Sequence, residues 1–300
     1  MKDILTRPNW LEQKPRSKNF LWLDKNENTD SEYLNWIKSN VNKKILGTDY
    51  STYPDLRDFY YSLANIEGVN PNNILLSAGS DGAIRTVFQS YINNGDKVFI
   101  TNPSFAMYNV YCKLYKAKTY YIEYVNTDGS IKFNFRSLLE NIDKLKPKLV
   151  CIPNPDSPTG SILKSKEILT LLEVCKKNNS LLLIDEAYYP FYNYTSVEFL
   201  KEFNNLIICR TFSKAWGLAG VRVGYLISGK EQIKIMNLTR PMYEIGALQL
   251  KISEEIIKHY HRMVQSVDRL TKGKLFFEEE MRKLNFKTLT TYGNFSHVDF

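Results

Sequence analysis

Histidine and cysteine are scarce in this chain, with three histidines and four cysteines in 300 residues. His259, His261 and His297 have no workable spacing to Cys112, Cys151, Cys175 and Cys209 for a zinc site, so no metal is expected. No C-x-x-C pair occurs, and Cys151 and Cys209 sit inside apolar runs, where a thiol acts as a small buried hydrophobe. No apolar run approaches the length that crosses a bilayer. Met1-Lys2-Asp3-Ile4 leads into polar and charged residues, which predicts no signal peptide and a cytoplasmic location. There is no internal repeat, no low-complexity linker, and no basic run interleaved with aromatics of the kind that marks a nucleic-acid module. The net charge of +8 is therefore read as surface lysine, as at Lys43-Lys44 and Lys176-Lys177, and is compatible with small anionic ligands.

What is present is enough apolar material, 43% of residues, for one large domain and a smaller one. Short apolar runs bounded by turn residues recur at Ile74–Ser77, Lys97–Thr101, Thr119–Tyr124, Leu149–Pro153, Leu181–Asp185, Leu206–Arg210 and Val223–Ser228. Such runs read as strands buried on both faces. Amphipathic stretches such as Asp81–Asn94 and Ser165–Asn178 lie between them. The alternation predicts an α/β fold around a mainly parallel sheet of about seven strands. Between Arg210 and Val223 there is no room for a crossover helix, so the last strand is expected to run antiparallel. Residues 1–40 read as an arm with a short helix, 41–248 as the large domain and 249–300 as part of a smaller α+β domain. In that last part Ile252–Leu284 is expected to be helical, followed by strand-like Phe286–Leu289 and Phe295–Phe300.

In open parallel sheets ligands sit beyond the carboxyl ends of the strands. Four strand ends carry unusual polar residues: Ser77-Ala78-Gly79-Ser80-Asp81-Gly82, Asn154–Gly160, Asp185-Glu186-Ala187-Tyr188 and Thr211-Phe212-Ser213-Lys214. A lysine at such a position is desolvated enough to attack an aldehyde. Arg222, eight residues after Lys214, offers a planar fork for a phosphate dianion, and Thr211 and Ser213 can donate to the same group. Gly79-Ser80-Asp81-Gly82 opens a helix whose free N–H groups favour an anion, an arrangement compatible with a plain cap by Ser80 or Asp81. Asp185 ends an apolar strand, and a carboxylate there needs a partner.

The segment from Arg210 to Gly224 resembles the lysine segment of fold-type-I enzymes that use pyridoxal 5'-phosphate. It is most similar to the class I/II aminotransferases of the histidinol-phosphate aminotransferase family. The resemblance runs from Asp24-Lys25-Asn26-Glu27-Asn28 to the end of the sequence. It implies that Lys214 joins the cofactor covalently and shuttles a proton, that Asp185 pairs with the pyridine nitrogen, and that Tyr188 bonds the phenolic oxygen. It further implies that Gly79, Ser80, Asp81, Thr211, Ser213 and Arg222 hold the phosphate, and that Phe105 in Asn102–Tyr108 lies flat on the ring. Tyr53 in Ser51–Asp55 matches the tyrosine that reaches the phosphate of a neighbouring subunit, which implies a homodimer.

Two positions depart from the family pattern. Before Pro158-Thr159-Gly160 the family carries Asn, and here Ser157 stands, 28 residues before Asp185, which is itself 29 before Lys214. Serine keeps one hydrogen bond to the cofactor oxygen with shorter reach, so a shifted pKa of the lysine–cofactor linkage is expected rather than loss of cofactor. The resemblance also implies a small domain that continues past Phe300 and supplies an Arg gripping the anionic end of the substrate. A cut sequence, a naturally short protein and cover by a neighbouring chain remain open, and Arg240 is a candidate substitute clamp or a plain surface arginine. The leading expectation is amino transfer from an amine donor to a small phosphorylated keto or aldehyde acceptor. The alternatives are decarboxylation of phosphoserine or phosphothreonine, and a cofactor-binding remnant without catalysis.

Overall fold

The structure, a computed structural model, describes residues 11–17, 19–20, 22–127 and 129–300. Residues 1–10, which begin the expected arm and include Met1–Ile4, lie outside the described residues. The arm leads to α1 (Ser31–Asn40), whose first N–H groups are capped by the Asp30 carboxylate. Next come α2 (Arg57–Glu67), β1 (Ile74–Ser77), α3 (Gly79–Tyr91), β2 (Lys97–Thr101) and α4 (Ala106–Leu114). They are followed by β3 (Lys118–Ile122), β4 (Tyr124–Thr127), β5 (Ser130–Phe133), α5 (Phe135–Leu145), β6 (Leu149–Pro153), α6 (Ser165–Lys177) and β7 (Leu181–Asp185). The chain continues through β8 (Leu206–Thr211), β9 (Gly224–Ser228), α7 (Lys230–Asn237), α8 (Ala247–Ile257), α9 (Tyr260–Lys283), β10 (Lys287–Leu289) and β11 (His297–Asp299).

Seven strands form one sheet in the order β1-β9-β8-β7-β6-β2-β3. Its strands pair parallel except β9, which is antiparallel to both β1 and β8, as the short Arg210–Val223 connection requires. Side chains alternate between two cores: Val150, Ile152, Leu182, Ile184 and Ile208 enter the larger one, and Cys151, Leu183, Ile207 and Cys209 the other. That period of two explains why these runs are apolar throughout. All four cysteines are buried and free.

Several expected boundaries move; the closing strand, expected at Phe295–Phe300, is His297–Asp299. The Thr119–Tyr124 run breaks at exposed Glu123, because Ile122 closes β3 in the core while Tyr124 pairs with Phe133 in a separate β4–β5 hairpin. The helix expected from Asp81 begins at Gly79. Ile252–Leu284 holds parts of two helices, since His259 has φ −117° and ψ 41° and packs edge-on to Trp36 with ring centroids 5.0 Å apart.

The strand order reverses between β2 and β6: β2 leads to β3 on one side, and β6, β7 and β8 step the other way. The crevice at such a switch point is where this architecture binds ligands. Because β9 runs backwards, Gly224 at its start lies opposite both Ser77 and Thr211 at the ends of β1 and β8. Residues entering β9 therefore join the same edge of the sheet.

Candidate functional site

A cleft of about 180 Å³ opens at that edge. Lining side chains come from the β6 end (Ser157), the β7 end (Asp185, Tyr188) and the β8 end (Thr211, Ser213, Lys214). Ser80 and Asp81 from the start of α3, Phe105 from the loop before α4, and Arg222 before β9 complete the wall. Gly79 is buried directly behind Arg222: a Cβ at Gly79 would stand 2.5 Å from the Arg222 Nη2. With φ at +74°, Gly79 meets a backbone demand as well as a spatial one.

Lys214 is half-buried, and loss of hydration lowers its ammonium pKa from 10.5 to about 8, with Arg222 acting in the same direction against Glu27 and Asp185. Its Nζ donates to the Lys25 carbonyl at 2.5 Å and lies 5.6 Å from the centroid of the Tyr188 ring. Asp185 is buried, and burial raises its carboxyl to about 6 despite bonds from Tyr108 and the Ala187 N–H. Those bonds measure 3.0 Å from the Tyr108 hydroxyl and 3.1 Å from the Ala187 N–H. A buried carboxyl poised between its two forms accepts a cationic partner readily.

Arg222 reaches Ser213 Oγ at 3.3 Å and the Ala219 carbonyl at 3.2 Å. Its backbone lies at φ 60°, a region a residue with a branched-out side chain occupies only when its surroundings hold it there. Thr211 Oγ1 accepts from the Ser213 N–H at 3.1 Å and donates to Ser213 Oγ at 3.0 Å. The start of α3 brings unpaired N–H groups to the same corner. Guanidinium, hydroxyls and a helix start together form an anion cradle.

The Tyr188 hydroxyl lies 3.3 Å from Ser157 Oγ and accepts from Asn26 Nδ2 at 2.9 Å. Phe105 is half-open to the cleft and edge-on to Tyr108, with ring centroids 6.4 Å apart. Tyr53 and Arg240 do not reach this cleft. Tyr53 is 78% exposed and stacks on Tyr243 with centroids 4.4 Å apart. Arg240 lies in a different groove with Arg57 and Tyr60, and its guanidinium holds Asn237 Oδ1 and the carbonyls of Pro241 and Met242. Arg240 lines that groove and not the cleft of its own chain, so it does not stand there as an anion clamp.

Three features escaped the sequence reading. Tyr108 follows Phe105 by one helical turn, a spacing that carries a usable signal. Asn26 and Asn294 carry none, since they come from opposite ends of the chain. The third is Asp156, a buried carboxyl raised to about 6 by loss of hydration. It accepts from Thr159 Oγ1 at 2.5 Å and from the Thr159 N–H at 3.1 Å, stapling the loop that carries Ser157.

The sequence and fold have known relatives. Residues 18–300 match the family model for aminotransferase class I and II. Histidinol-phosphate aminotransferase of Caldanaerobacter subterraneus subsp. tengcongensis is 33% identical over 279 residues, covering 91% of this chain and 76% of that protein. The enzyme of the same name from Thermoanaerobacter pseudethanolicus is 36% identical over 239 residues, 79% of this chain and 66% of its own length. This chain thus spans about two thirds to three quarters of these relatives. The crystal structure of histidinol-phosphate aminotransferase from Sinorhizobium meliloti in complex with pyridoxal-5'-phosphate superposes with a TM-score of 0.79 at 22% identity. That superposition covers 92% of this chain and 74% of the other. With a parallel sheet, a lysine and a carboxylate at its open edge, and a family match over nearly its whole length, the chain belongs to the class I and II aminotransferases, fold-type-I enzymes whose cofactor is pyridoxal phosphate.

Proposed function

We propose that the chain transfers an amino group between an amino donor and a small, phosphorylated keto or aldehyde acceptor. The observation that carries this reading is the placement of a desolvated amine, Lys214, in one cleft with a buried carboxyl, Asp185, and the Arg222 guanidinium beside Ser213 and Thr211. The donor set fits pyridoxal phosphate group by group. Lys214 Nζ would meet the aldehyde, Asp185 would pair with the ring nitrogen, and Tyr188 and Ser157 would bond the phenolic oxygen. Arg222, Ser213, Thr211 and the backbone N–H groups of Gly79, Ser80 and Asp81 would hold the phosphate, and the Phe105 face would cover the ring. A side chain at Gly79 would fill the cradle that this fit needs.

When bound, the cofactor supplies an electron sink for the substrate carbanion. The protein's own residues bind and orient. Asp185 would pair with the cationic ring nitrogen, and the Tyr108 hydroxyl holds the carboxylate in place. Lys214 Nζ, whose loss of hydration leaves more of the amine in its basic form at a given pH, would carry a proton from the substrate carbon to the cofactor carbon and so return to its starting state. Tyr53, exposed and stacked on Tyr243, is read as reaching the phosphate of a second copy, which makes the working unit a homodimer. Residues 41–248 form the large domain in this reading and 249–300 part of the small one, in a cytoplasmic enzyme. Among the described residues no helix is long and apolar enough to cross a membrane.

Amino transfer is favoured over decarboxylation and over an inactive remnant because the relatives at 33% and 36% identity carry an aminotransferase name. The test is a half-reaction: purified protein loaded with pyridoxal phosphate is mixed with a panel of amino acids and, separately, with histidinol phosphate. Bleaching of the cofactor absorbance with release of a keto or aldehyde product is expected. Carbon dioxide release from phosphothreonine or phosphoserine without amine transfer overturns the reading. Mixing Lys214→Ala with Tyr53→Ala chains tests the dimer, since hybrid dimers regain one intact site.

A further inference from the structure

We propose that Asn26 is a positioning residue that turns the proton of the Tyr188 hydroxyl into the cleft, and that Asn294 holds Asn26 in place for this task. The proposal rests on the reading of the cleft as a pyridoxal phosphate site. It assigns a role to two residues at opposite ends of the chain, 268 positions apart.

The geometry is directional. Asn26 Nδ2 stands 2.9 Å from the Tyr188 oxygen, and an amide nitrogen only donates. The hydroxyl therefore accepts on the arm side, and its own proton is left for the opposite side. There Ser157 Oγ lies 3.3 Å away, at the wall that faces the cofactor's phenolic oxygen. Without the amide, the hydroxyl is free to rotate, and part of its donation leaves the cleft.

Asn26 is itself well held. Its backbone adopts φ 52°, a left-handed conformation that asparagine tolerates better than other residues with a side chain. Its carbonyl accepts from Asn294 Nδ2 at 3.0 Å, and the preceding carbonyl accepts from Lys214 at 2.5 Å. Two residues on, buried Asn28 donates to the Ala215 carbonyl and to Ser266 Oγ, each at 3.1 Å, tying the arm to the lysine loop and to α9. The ring of Tyr188 is fixed separately: Phe295, the neighbour of Asn294, meets it edge-on at 5.4 Å and 71°. Ring and hydroxyl are thus oriented by residues adjacent in the same loop, through direct contact in one case and through Asn26 in the other.

A donor to the cofactor's phenolic oxygen stabilises its anionic form and so lowers the pKa of the lysine–cofactor linkage. Spectrophotometric titration of the loaded protein reads that pKa without turnover. Asn26→Ala is expected to raise it, by up to about one pH unit, the scale of one hydrogen bond to a charged group. Asn294→Ala is expected to shift it in the same direction by less. In a Tyr188→Phe background, where no hydroxyl remains to be turned, neither substitution is expected to add a further shift, and such a cycle isolates the coupling. An equal shift in both backgrounds, or no shift in wild type, overturns the proposal while leaving the cofactor reading intact. A wild-type protein that binds no pyridoxal phosphate overturns both.

Discussion

The Tyr108 hydroxyl donates a 3.0 Å hydrogen bond to Oδ2 of Asp185, joining two buried side chains 77 positions apart in the chain. Burial pushes the Asp185 carboxyl from 3.8 up to about 6, and the Tyr108 bond opposes that rise by favouring the ionised form. Tyr108→Phe should therefore raise the pKa further. Because the fold favours protonated Asp185, the contribution of this group to stability is full below the unfolded value and is lost as pH rises through about 6. Pairing with a cationic ring nitrogen needs the ionised form, so cofactor affinity should strengthen over the same window. Dissociation constants measured against pH should show the Tyr108→Phe half-point displaced upward, with affinity about tenfold weaker at neutral pH. A superimposable profile would remove Tyr108 from the site.

The amine of Lys214 reacts as a free base, so its attachment to an aldehyde should follow its own titration. Desolvation sets the ammonium near 8, and between that value and 10.5 the folded protein holds the amine neutral where the unfolded chain does not. The rate of condensation with pyridoxal, which carries no phosphate, should rise with pH and level off above about 8. Glu27→Gln should lower the midpoint, since its charge favours the ammonium, and Arg222→Gln should raise it. Borohydride trapping followed by mass spectrometry checks both, with Lys214→Ala as the blank.

Gly79 and Gly224 separate two kinds of crowding. A Cβ at Gly79 meets the far end of the Arg222 side chain at 2.5 Å, whereas one at Gly224 meets the Gly79 backbone carbon at 2.4 Å. Gly79→Ala should displace the guanidinium and weaken binding of pyridoxal phosphate but not of pyridoxal. Its cost in stability should be about 1–2 kcal/mol for a left-handed alanine. Gly224→Ala has no mobile group to yield and should lower thermal stability more. Calorimetry and ligand titration on both variants make the comparison.

Beneath the cleft, Arg210 lies buried between two carboxylates, with side-chain exposures of 4% for Arg210, 6% for Glu67 and 1% for Glu186. Thr195 and Tyr225 complete this network, and the Tyr189 ring stacks 3.7 Å from the guanidinium. Arg210→Met leaves both acids buried without their cation and should cost about 3–5 kcal/mol in urea unfolding. Glu67→Gln keeps one carboxylate on the arginine and should cost less. Equal costs for the two would show that packing, not charge, dominates here.

Ser157 sits within reach of the Tyr188 hydroxyl, but its side chain ends one bond sooner than the asparagine of the family pattern. Ser157→Asn should shift the pKa of the lysine–cofactor linkage when the two loaded proteins are titrated side by side. Identical titrations would show that Tyr188 alone serves that oxygen.

Much of this site was legible because its principal residues end a strand or lie in the loop beside one. Lys214 and Asp185 close or follow runs whose apolar period sets the strand, and the strand end sets the edge of the sheet. The lysine loop was readable for the same reason: its residues are near neighbours in the chain, and local geometry brings Thr211, Ser213 and Arg222 together. The antiparallel last strand followed from connection length alone. Tyr53 shows where that legibility stops, since its pattern names a role that lies outside its own chain's cleft.

Local order in the chain thus determined the strands, the sheet type and the residues at its open edge, because a strand's period and a loop's length act over a few positions. Tertiary structure alone decided that Tyr108, though its spacing from Phe105 puts it near the cleft, bonds Asp185, that Gly79 makes room for Arg222, and that Asn26 and Asn294 meet beside Tyr188. Such contacts join segments that come together only when two cores pack and the arm docks on α9, and no spacing along the chain encodes a distance across the fold.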